Sequence, residues 1–250
     1  MPKKWLAQKL VNLGTKLHDP SQDLGVTIPD ASAADLAVLA AASEYTMSLP
    51  TSRWALVQAL RYLHNAGIEG DFVECGVWRG GNLVIARLMA QNLGRERRIW
   101  AYDTFGGMTE PSEHDVKFGK SLDTNQKFED LQRDGFNDWC YASLEEVQAN
   151  VARTGGAGEV VFRKGDVRET LADQGNLPEK IALLRLDTDF YDSTKVEMET
   201  LYPRLVSGGV LIIDDYGAWA GSKKAVDEYL GEPLPWLHYL NRDARLMIKP

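Results

Sequence analysis

The chain has few cysteines, no long apolar run and no excess of positive charge. Its 250 residues include only Cys75 and Cys140, which form no Cys-x-x-Cys pair, so we expect a reduced, cytoplasmic protein. No apolar stretch approaches the roughly 20 residues that cross a bilayer, and the N-terminus has no apolar signal core. A net charge of −8 argues against a nucleic-acid footprint. We therefore expect a globular protein with neither a membrane nor a nucleic acid as partner.

Carboxylates follow two short apolar runs near the C-terminal end. One run is followed by Asp187 and Asp189, and the next by Asp214 and Asp215. Such runs are typical of buried parallel strands, whose carboxyl ends border the ligand site in open α/β sheets. A single aspartate there is as well explained by capping of a following helix or turn. Four carboxylates at one edge repel one another unless they share protons or hold a cation, and oxygen ligands favour Mg²⁺. The pattern therefore predicts a metal site.

Strand and helix patterns alternate from Gly70 onward. This alternation predicts a doubly wound α/β sheet of seven strands, five joined by crossovers and two in a C-terminal antiparallel hairpin. Helices earlier in the chain would form a helical extension over residues 1–65, followed by a main domain over residues 66–250. The strands are expected at residues 72–75, 99–102, 159–163, 182–186, 210–213, 236–240 and 245–248. The helices of the main domain are expected at residues 83–93, 144–153, 193–205 and 223–230.

Two segments fall outside this alternation. Near the N-terminus, leucines at helical spacing predict an amphipathic helix that packs on the domain or on a second subunit, so we expect a homo-oligomer. Residues 104–140 are polar and show little periodicity, and a loop of that length in a compact domain is typically a functional lid. The leucines of the N-terminal pattern are Leu6, Leu10, Leu13 and Leu17.

The turn after the first predicted strand contains glycines without the spacing of a dinucleotide-binding turn. Glu74 ends the strand, Gly76 follows two positions on, and Gly80 begins a glycine pair. Glycines there let a ligand approach the backbone closely. Asp103, after the second strand, is placed to accept hydrogen bonds from a ribose diol, and Asp166, after the third, to reach an adenine amine. Together these acidic residues favour an adenosyl cofactor without phosphates, such as S-adenosylmethionine, over NAD.

Long motifs in a fixed order run through the middle of the chain, over roughly residues 43–230. They occupy residues 71–81, 103–108, 164–167, 186–194, 201–205, 208–217 and 224–229. In these motifs the chain resembles the macrocin O-methyltransferase family, metal-dependent sugar O-methyltransferases of antibiotic glycosylation. Residues 1–40 and 109–137 show no matching motif, so we expect these regions to select the acceptor.

The resemblance implies a class I methyltransferase fold with S-adenosylmethionine and Mg²⁺ as cofactors. The expected activity is methylation of a hydroxyl on a sugar or glycosylated natural product, with that small molecule as the partner. The resemblance implies that Mg²⁺ is held by Asp187, Asp214 and Asp215. The residues expected near the cofactor are Met47, Glu74, Gly76, Gly80, Asp103, Ser143 and Asp166.

Nucleophile activation is the chemical problem, because a sugar hydroxyl is almost un-ionised at neutral pH. A bound Mg²⁺ would lower the pKa of the hydroxyl and orient it. Asp189 is the first candidate for the general base, as in some members of the family. It lies two residues from Asp187, so it shares that face only if the strand stays extended. His114 is the alternative base, because histidine as a residue type can take up and release a proton near neutral pH, although its loop position is also typical of an exposed histidine.

Two other functions share much of this pattern. A metal-dependent O-methyltransferase that acts on a catechol-like phenol would have the same fold and ion, and only the acceptor separates the two. A non-catalytic adenosyl-binding scaffold is the other, and the crowding of Asp187, Asp214 and Asp215 argues against it.

Overall fold

The computed structural model describes residues 28–119 and 121–250, apart from the side chain of Asn176. The leucine pattern from Leu6 to Leu17 lies outside these residues, so the homo-oligomer and the division of the chain at residue 65 stay predictions. Among the described helices, none combines the length and the apolar character that a membrane span requires.

A seven-stranded sheet forms the centre of the described chain. The strands are β1 (Asp71–Cys75), β2 (Ile99–Asp103), β5 (Val160–Lys164), β6 (Ile181–Leu186), β7 (Leu205–Ile213), β8 (His238–Tyr239) and β9 (Arg245–Ile248), with β3 (Gln132–Arg133) and β4 (Phe136–Asn137) in a separate hairpin. The spatial order is β5-β2-β1-β6-β7-β9-β8. The first five are parallel, and β9 and β8 are antiparallel at one edge. The predicted doubly wound α/β fold is confirmed.

Helices cover both faces of the sheet. They are α1 (Ala33–Ala42), α2 (Pro50–Asn65), α3 (Gly81–Leu93), α4 (Thr124–Asp130), α5 (Leu144–Thr154), α6 (Val167–Thr170), α7 (Tyr191–Thr200) and α8 (Ala220–Leu230). Local sequence explains several helix starts. Ser32 and Asp35 form a reciprocal capping box at α1, and Pro50 occupies the first turn of α2, where a missing N–H costs nothing.

The core lies in two apolar layers separated by the sheet. Alternation along β1 shows the division, because Phe72 faces one layer and Val73 the other. Leu39 of α1 and Leu56 of α2 are buried in the same layer as Phe72, so the described N-terminal helices share the core of the sheet. Met198 of α7 lies in the opposite layer.

One helix ends earlier than the sequence predicts. The helix expected over residues 193–205 spans Tyr191–Thr200 and is followed by a 3₁₀ turn at Tyr202–Arg204. Pro203 explains the change, because proline lacks the backbone N–H that an α-helix needs and its ring clashes with the preceding turn.

The segment over residues 104–140 is more ordered than its lack of periodicity predicts. It contains α4 and the β3–β4 hairpin, and Trp139 packs against Phe190 and Trp219 in a small apolar cluster of its own. Backbone hydrogen bonds close the segment at its base, from Asn137 N–H to the Gly106 oxygen (2.8 Å) among others. The segment is therefore a folded wall over the sheet.

Candidate active site

A cavity of about 380 Å³ opens at the carboxyl end of the parallel strands. It lies where the chain order reverses between β1 and β6, the position at which open α/β sheets bind ligands. The turns after β1, β2, β5, β6 and β7 all contribute to its wall, and Thr46, Met47 and Ser48 contribute from the segment before α2. The volume is that of a small-molecule site.

The glycine turn after β1 touches the turn after β6. A Cβ atom on Gly76 would lie 2.0 Å from the carbonyl oxygen of Asp187, and the φ of Gly76 is +80°. Both facts require glycine. The close approach places the glycine turn directly beside the first of the predicted metal ligands.

Asp187, Asp214 and Asp215 meet at one point of the cavity. Each offers one carboxylate oxygen, and these oxygens lie within 4.8 Å of one another. Burial raises the pKa of Asp187 and of Asp215 well above the usual range, and the neighbouring carboxylates raise it further. Oδ2 of Asp215 is buried and accepts no hydrogen bond from the described residues. An all-oxygen set with an unsatisfied buried oxygen suits a hard divalent cation such as Mg²⁺.

Asp189 reaches the same cluster by a route that the sequence does not show. Strand β6 ends at Leu186, and Asp189 then adopts a left-handed backbone conformation with φ +65°. Its carboxyl group lies close enough to that of Asp215 for each to shift the pKa of the other. Burial raises the pKa of Asp189 to about 6. The chain does not stay extended after Leu186, and the left-handed turn at Asp189 brings its side chain to the cluster instead.

Arg185 is a site residue that the sequence reasoning missed. Its side chain is 2% exposed and forms ion pairs with Glu74 (2.8 Å), Asp187 (2.6 Å) and Asp214 (2.7 Å). Burial alone would lower its pKa, but these carboxylates raise it well above the usual range. The only sequence signal was a charged residue inside an otherwise apolar strand.

Asp103 lines the cavity and also shapes the glycine turn. Its Oδ2 accepts hydrogen bonds from the backbone N–H groups of Val77 (2.8 Å) and Trp78 (3.1 Å), and its Oδ1 accepts one from Phe105 (2.7 Å). Burial raises its pKa. The Thr104 hydroxyl lies 3.4 Å from Oδ1, but its single hydrogen is donated at the shorter distance of 2.6 Å to the Gly107 oxygen. One lone pair of Oδ1 therefore remains for a ligand hydroxyl.

Some of the other predicted cofactor contacts line the cavity and others do not. Met47 lines the cavity, as does Asp166, whose carboxylate caps α6 and forms an ion pair with Arg168 (2.6 Å). Glu74 is not part of the lining and lies behind it, 1% exposed, where its Oε1 accepts from Asn82 Nδ2 (2.9 Å). Asn82 itself lines the cavity.

Gly80 and Ser143 are also absent from the cavity wall. A Cβ on Gly80 would lie 3.0 Å from the side chain of Val147, so this glycine permits close packing of the turn on α5. Ser143 caps α5 by accepting a hydrogen bond from the N–H of Glu146 (3.2 Å). Packing accounts for the glycine at position 80, and helix capping accounts for the serine at position 143.

His114 lies outside the cavity lining. Its ring packs edge-on against Tyr191, with 4.7 Å between centroids, and its Nε2 is 3.0 Å from Nζ of Lys224. The structure therefore does not bring His114 to the carboxylate cluster, whereas it does bring Asp189.

One wall of the cavity is aromatic and carries a lysine. Trp139 and Trp219 line it with 6.0 Å between ring centroids, and Nζ of Lys117 lies 4.5 Å from the centroid of Trp219. Aromatic faces at this place suit the apolar face of a sugar or an adenine. Lys117 lies in a segment without periodicity, so no sequence pattern indicated it.

The sheet order, the antiparallel edge and the glycine turn define a class I methyltransferase fold. A solved structure of the O-methyltransferase NovP matches with a TM-score of 0.70 and 28% identity, covering 82% of each chain. The family model described as Macrocin-O-methyltransferase (TylF) matches residues 31–233. The chain belongs to this family, so the predicted resemblance is confirmed.

Curated relatives share the central part of the chain. An enzyme of Streptomyces olivaceus, 8-demethyl-8-(2,3-dimethoxy-alpha-L-rhamnosyl)-tetracenomycin-C 4'-O-methyltransferase, is 36% identical over 167 residues, which are 66% of this chain and 59% of that protein. The demethyldecarbamoylnovobiocin O-methyltransferase of Streptomyces niveus is 33% identical over 65% of this chain and 58% of its own length. The match thus spans about three-fifths of these relatives.

Proposed function

We propose that the protein is a Mg²⁺-dependent O-methyltransferase that transfers the methyl group of S-adenosylmethionine to a hydroxyl of a sugar or glycosylated natural product. The observation that carries this proposal is the meeting of Asp187, Asp214 and Asp215 with the Gly76 turn in one cavity. The relative that acts on a rhamnosyl tetracenomycin supports a sugar hydroxyl as acceptor. The two free cysteines are consistent with the predicted cytoplasmic location.

The residues around the glycine turn suit S-adenosylmethionine. Gly76 leaves the backbone open to close approach, and Oδ1 of Asp103 has capacity for a ribose hydroxyl. Glu74 acts indirectly in this proposal: it holds the amide NH₂ of Asn82, which leaves the Asn82 carbonyl oxygen to accept from the cofactor's ammonium group. Met47 and Asp166 border the same space.

The metal would be held by Asp187, Asp214 and Asp215, where it would act as a Lewis acid on the acceptor hydroxyl. Asp189 takes the hydroxyl proton, since its carboxyl group lies beside this cluster and its pKa of about 6 keeps it ionised at neutral pH. Trp139 and Trp219 position the acceptor ring against the cavity wall and exclude water.

The experiment is a methyl-transfer assay with labelled S-adenosylmethionine and a panel of glycosides, with a catechol as comparison acceptor. We expect label in a glycoside, dependence on Mg²⁺, and loss of transfer with EDTA. Asp215→Asn should lower kcat/KM about 100-fold or more, because a bound metal lowers the activation barrier by several kcal/mol and this variant loses a metal ligand.

Asp134→Asn is the matched control, because Asp134 is exposed in the β3–β4 turn and Asn-Gly preserves that turn. Full activity of Asp215→Asn would contradict the metal role. Transfer to the catechol alone would contradict the sugar acceptor.

A further inference from the structure

We propose that Arg185 is a positioning residue that reserves one oxygen of Asp187 and one of Asp214 for the metal, and thereby favours Mg²⁺ over Ca²⁺. The proposal rests on the metal site proposed above. It concerns a residue that lines no part of the cavity and therefore acts through the carboxylates.

The two terminal nitrogens of the guanidinium group donate to four partners. Nη1 donates to Asp187 Oδ2 (2.6 Å) and to Glu74 Oε1 (2.8 Å). Nη2 donates to Asp214 Oδ1 (2.7 Å) and to Ser48 Oγ (2.9 Å). Each terminal nitrogen has two hydrogens, so both are committed. The planar fork therefore fixes the two carboxylates in one relative orientation.

The neighbouring strand also holds Arg185 in place. Arg185 on β6 lies directly opposite Glu74 on β1 in the sheet register, and Glu74 is itself held by Asn82. Arg185 is 2% exposed, so water screens its charge little and its interactions with the carboxylates are strong. With both terminal nitrogens hydrogen-bonded, Arg185 can hold the metal ligands in a fixed orientation.

Occupied oxygens limit how the carboxylates can bind an ion. Oδ2 of Asp187 and Oδ1 of Asp214 each keep a second lone pair, but a cation bound there would lie beside the positive guanidinium group of Arg185. Coordination is therefore favoured at Oδ1 of Asp187 and Oδ2 of Asp214. Mg²⁺ requires six ligands in near-octahedral geometry and accepts such single-oxygen contacts. Ca²⁺ takes six to eight oxygens and often uses both oxygens of a carboxylate. Binding through one oxygen each therefore disfavours Ca²⁺.

The test is calorimetric titration of Mg²⁺ and of Ca²⁺ into the wild-type protein and Arg185→Lys, with S-adenosylhomocysteine present. Lysine keeps the charge and loses the fork. We expect Mg²⁺ affinity to fall about 10- to 100-fold, as for other residues that orient metal ligands. Ca²⁺ affinity should fall much less, so the preference for Mg²⁺ shrinks about 10-fold or more. Arg53→Lys is the control, because Arg53 is a buried arginine that donates to the Leu39 oxygen and neither residue lines the cavity.

If the wild-type protein binds Mg²⁺ and Arg185→Lys keeps the same ratio of Mg²⁺ affinity to Ca²⁺ affinity, this inference alone is overturned. Wild-type protein that binds no Mg²⁺ would overturn the proposed metal site and the inference with it. If Arg185→Lys does not fold, a crystal structure of the wild-type protein with Mn²⁺ decides. We expect Asp187 and Asp214 to bind through one oxygen each with the Arg185 hydrogen bonds kept, and two-oxygen binding by either would overturn the proposal.

Discussion

Gly76 and Asp187 touch backbone to backbone, so closely that a Cβ on Gly76 would lie 2.0 Å from the Asp187 carbonyl oxygen. A second backbone contact, from the Asp187 N–H to the Cys75 oxygen (2.9 Å), joins the same strand ends. The glycine turn and the carboxylate cluster are therefore one structural unit. In the proposed reaction this closeness brings the cofactor and the metal to the same acceptor hydroxyl.

Gly76→Ala is expected to destabilise the fold and to abolish binding of S-adenosylhomocysteine, because the added Cβ has no room beside Asp187. Gly94→Ala is the matched control. Gly94 has a similar φ of +66°, but no atom lies within 4 Å of its Cβ position. The left-handed backbone alone costs a non-glycine residue roughly 1–2 kcal/mol. Urea denaturation gives the free energy of unfolding of each variant, and equal losses would show that the contact does not matter.

Asp189→Asn should lower kcat about 10²- to 10⁴-fold, the usual contribution of a general base. The amide can still donate to Asp215, so Mg²⁺ and cofactor affinities should change little. His114→Gln should keep most of the activity, because His114 packs on Tyr191 outside the cavity lining. Steady-state kinetics and calorimetry on both variants check this. The opposite ranking would assign the base to His114.

Glu197 is expected to make the stability depend on pH. Its side chain is fully buried, and burial raises its pKa from 4.5 to about 8. The folded protein therefore binds this proton more tightly than the unfolded chain does. The resulting stability is complete below about pH 4.5 and is lost as the pH rises through about 8. Within that window the loss from this one group is about 1.4 kcal/mol per pH unit.

Glu197→Gln tests this linkage, because glutamine keeps the oxygen that accepts from the Thr188 hydroxyl (2.9 Å) and does not titrate. Urea denaturation at several pH values between 5 and 8 should show a flatter pH dependence than the wild type shows. Glu199→Gln, at an exposed position of the same helix, should leave the wild-type slope. An unchanged slope in Glu197→Gln would mean that Glu197 is ionised in the folded protein.

Trp139→Ala should loosen the folded wall over residues 104–140. Trp139 is 7% exposed and packs on Phe190 and Trp219, so its removal should cost about 3–5 kcal/mol. Trp236→Ala, at a side chain that is 84% exposed, should change stability by less than about 0.5 kcal/mol. Limited proteolysis followed by mass spectrometry should place new cleavage sites within the wall in the first variant only. Identical digestion patterns would contradict the packing role.

The fold could be predicted in most of its detail because its signals are local. Apolar strands, glycine turns and helix caps such as Ser32 with Asp35 each leave a short pattern in the sequence. The four carboxylates at one edge were also accessible, since parallel strands deliver their carboxyl ends to one edge. The resemblance to the family then indicated which three of them would bind a metal.

Residues that depend on tertiary contacts could not be predicted in this way. Arg185 gains its role from Glu74, 111 positions earlier in the chain. Asp189 joins the cluster through one left-handed residue rather than an extended strand. Gly80 and Ser143 are explained by packing and capping of α5, which a motif alone does not distinguish from ligand contact.

In the proposed reaction one cavity holds S-adenosylmethionine and Mg²⁺ together. The decisive experiment is calorimetric titration of S-adenosylhomocysteine into the full chain, with and without Mg²⁺ and with NAD as the comparison ligand. We expect micromolar binding of S-adenosylhomocysteine, a separate heat of Mg²⁺ binding that Asp215→Asn removes, and no binding of NAD. Binding of NAD with no response to S-adenosylhomocysteine would contradict it.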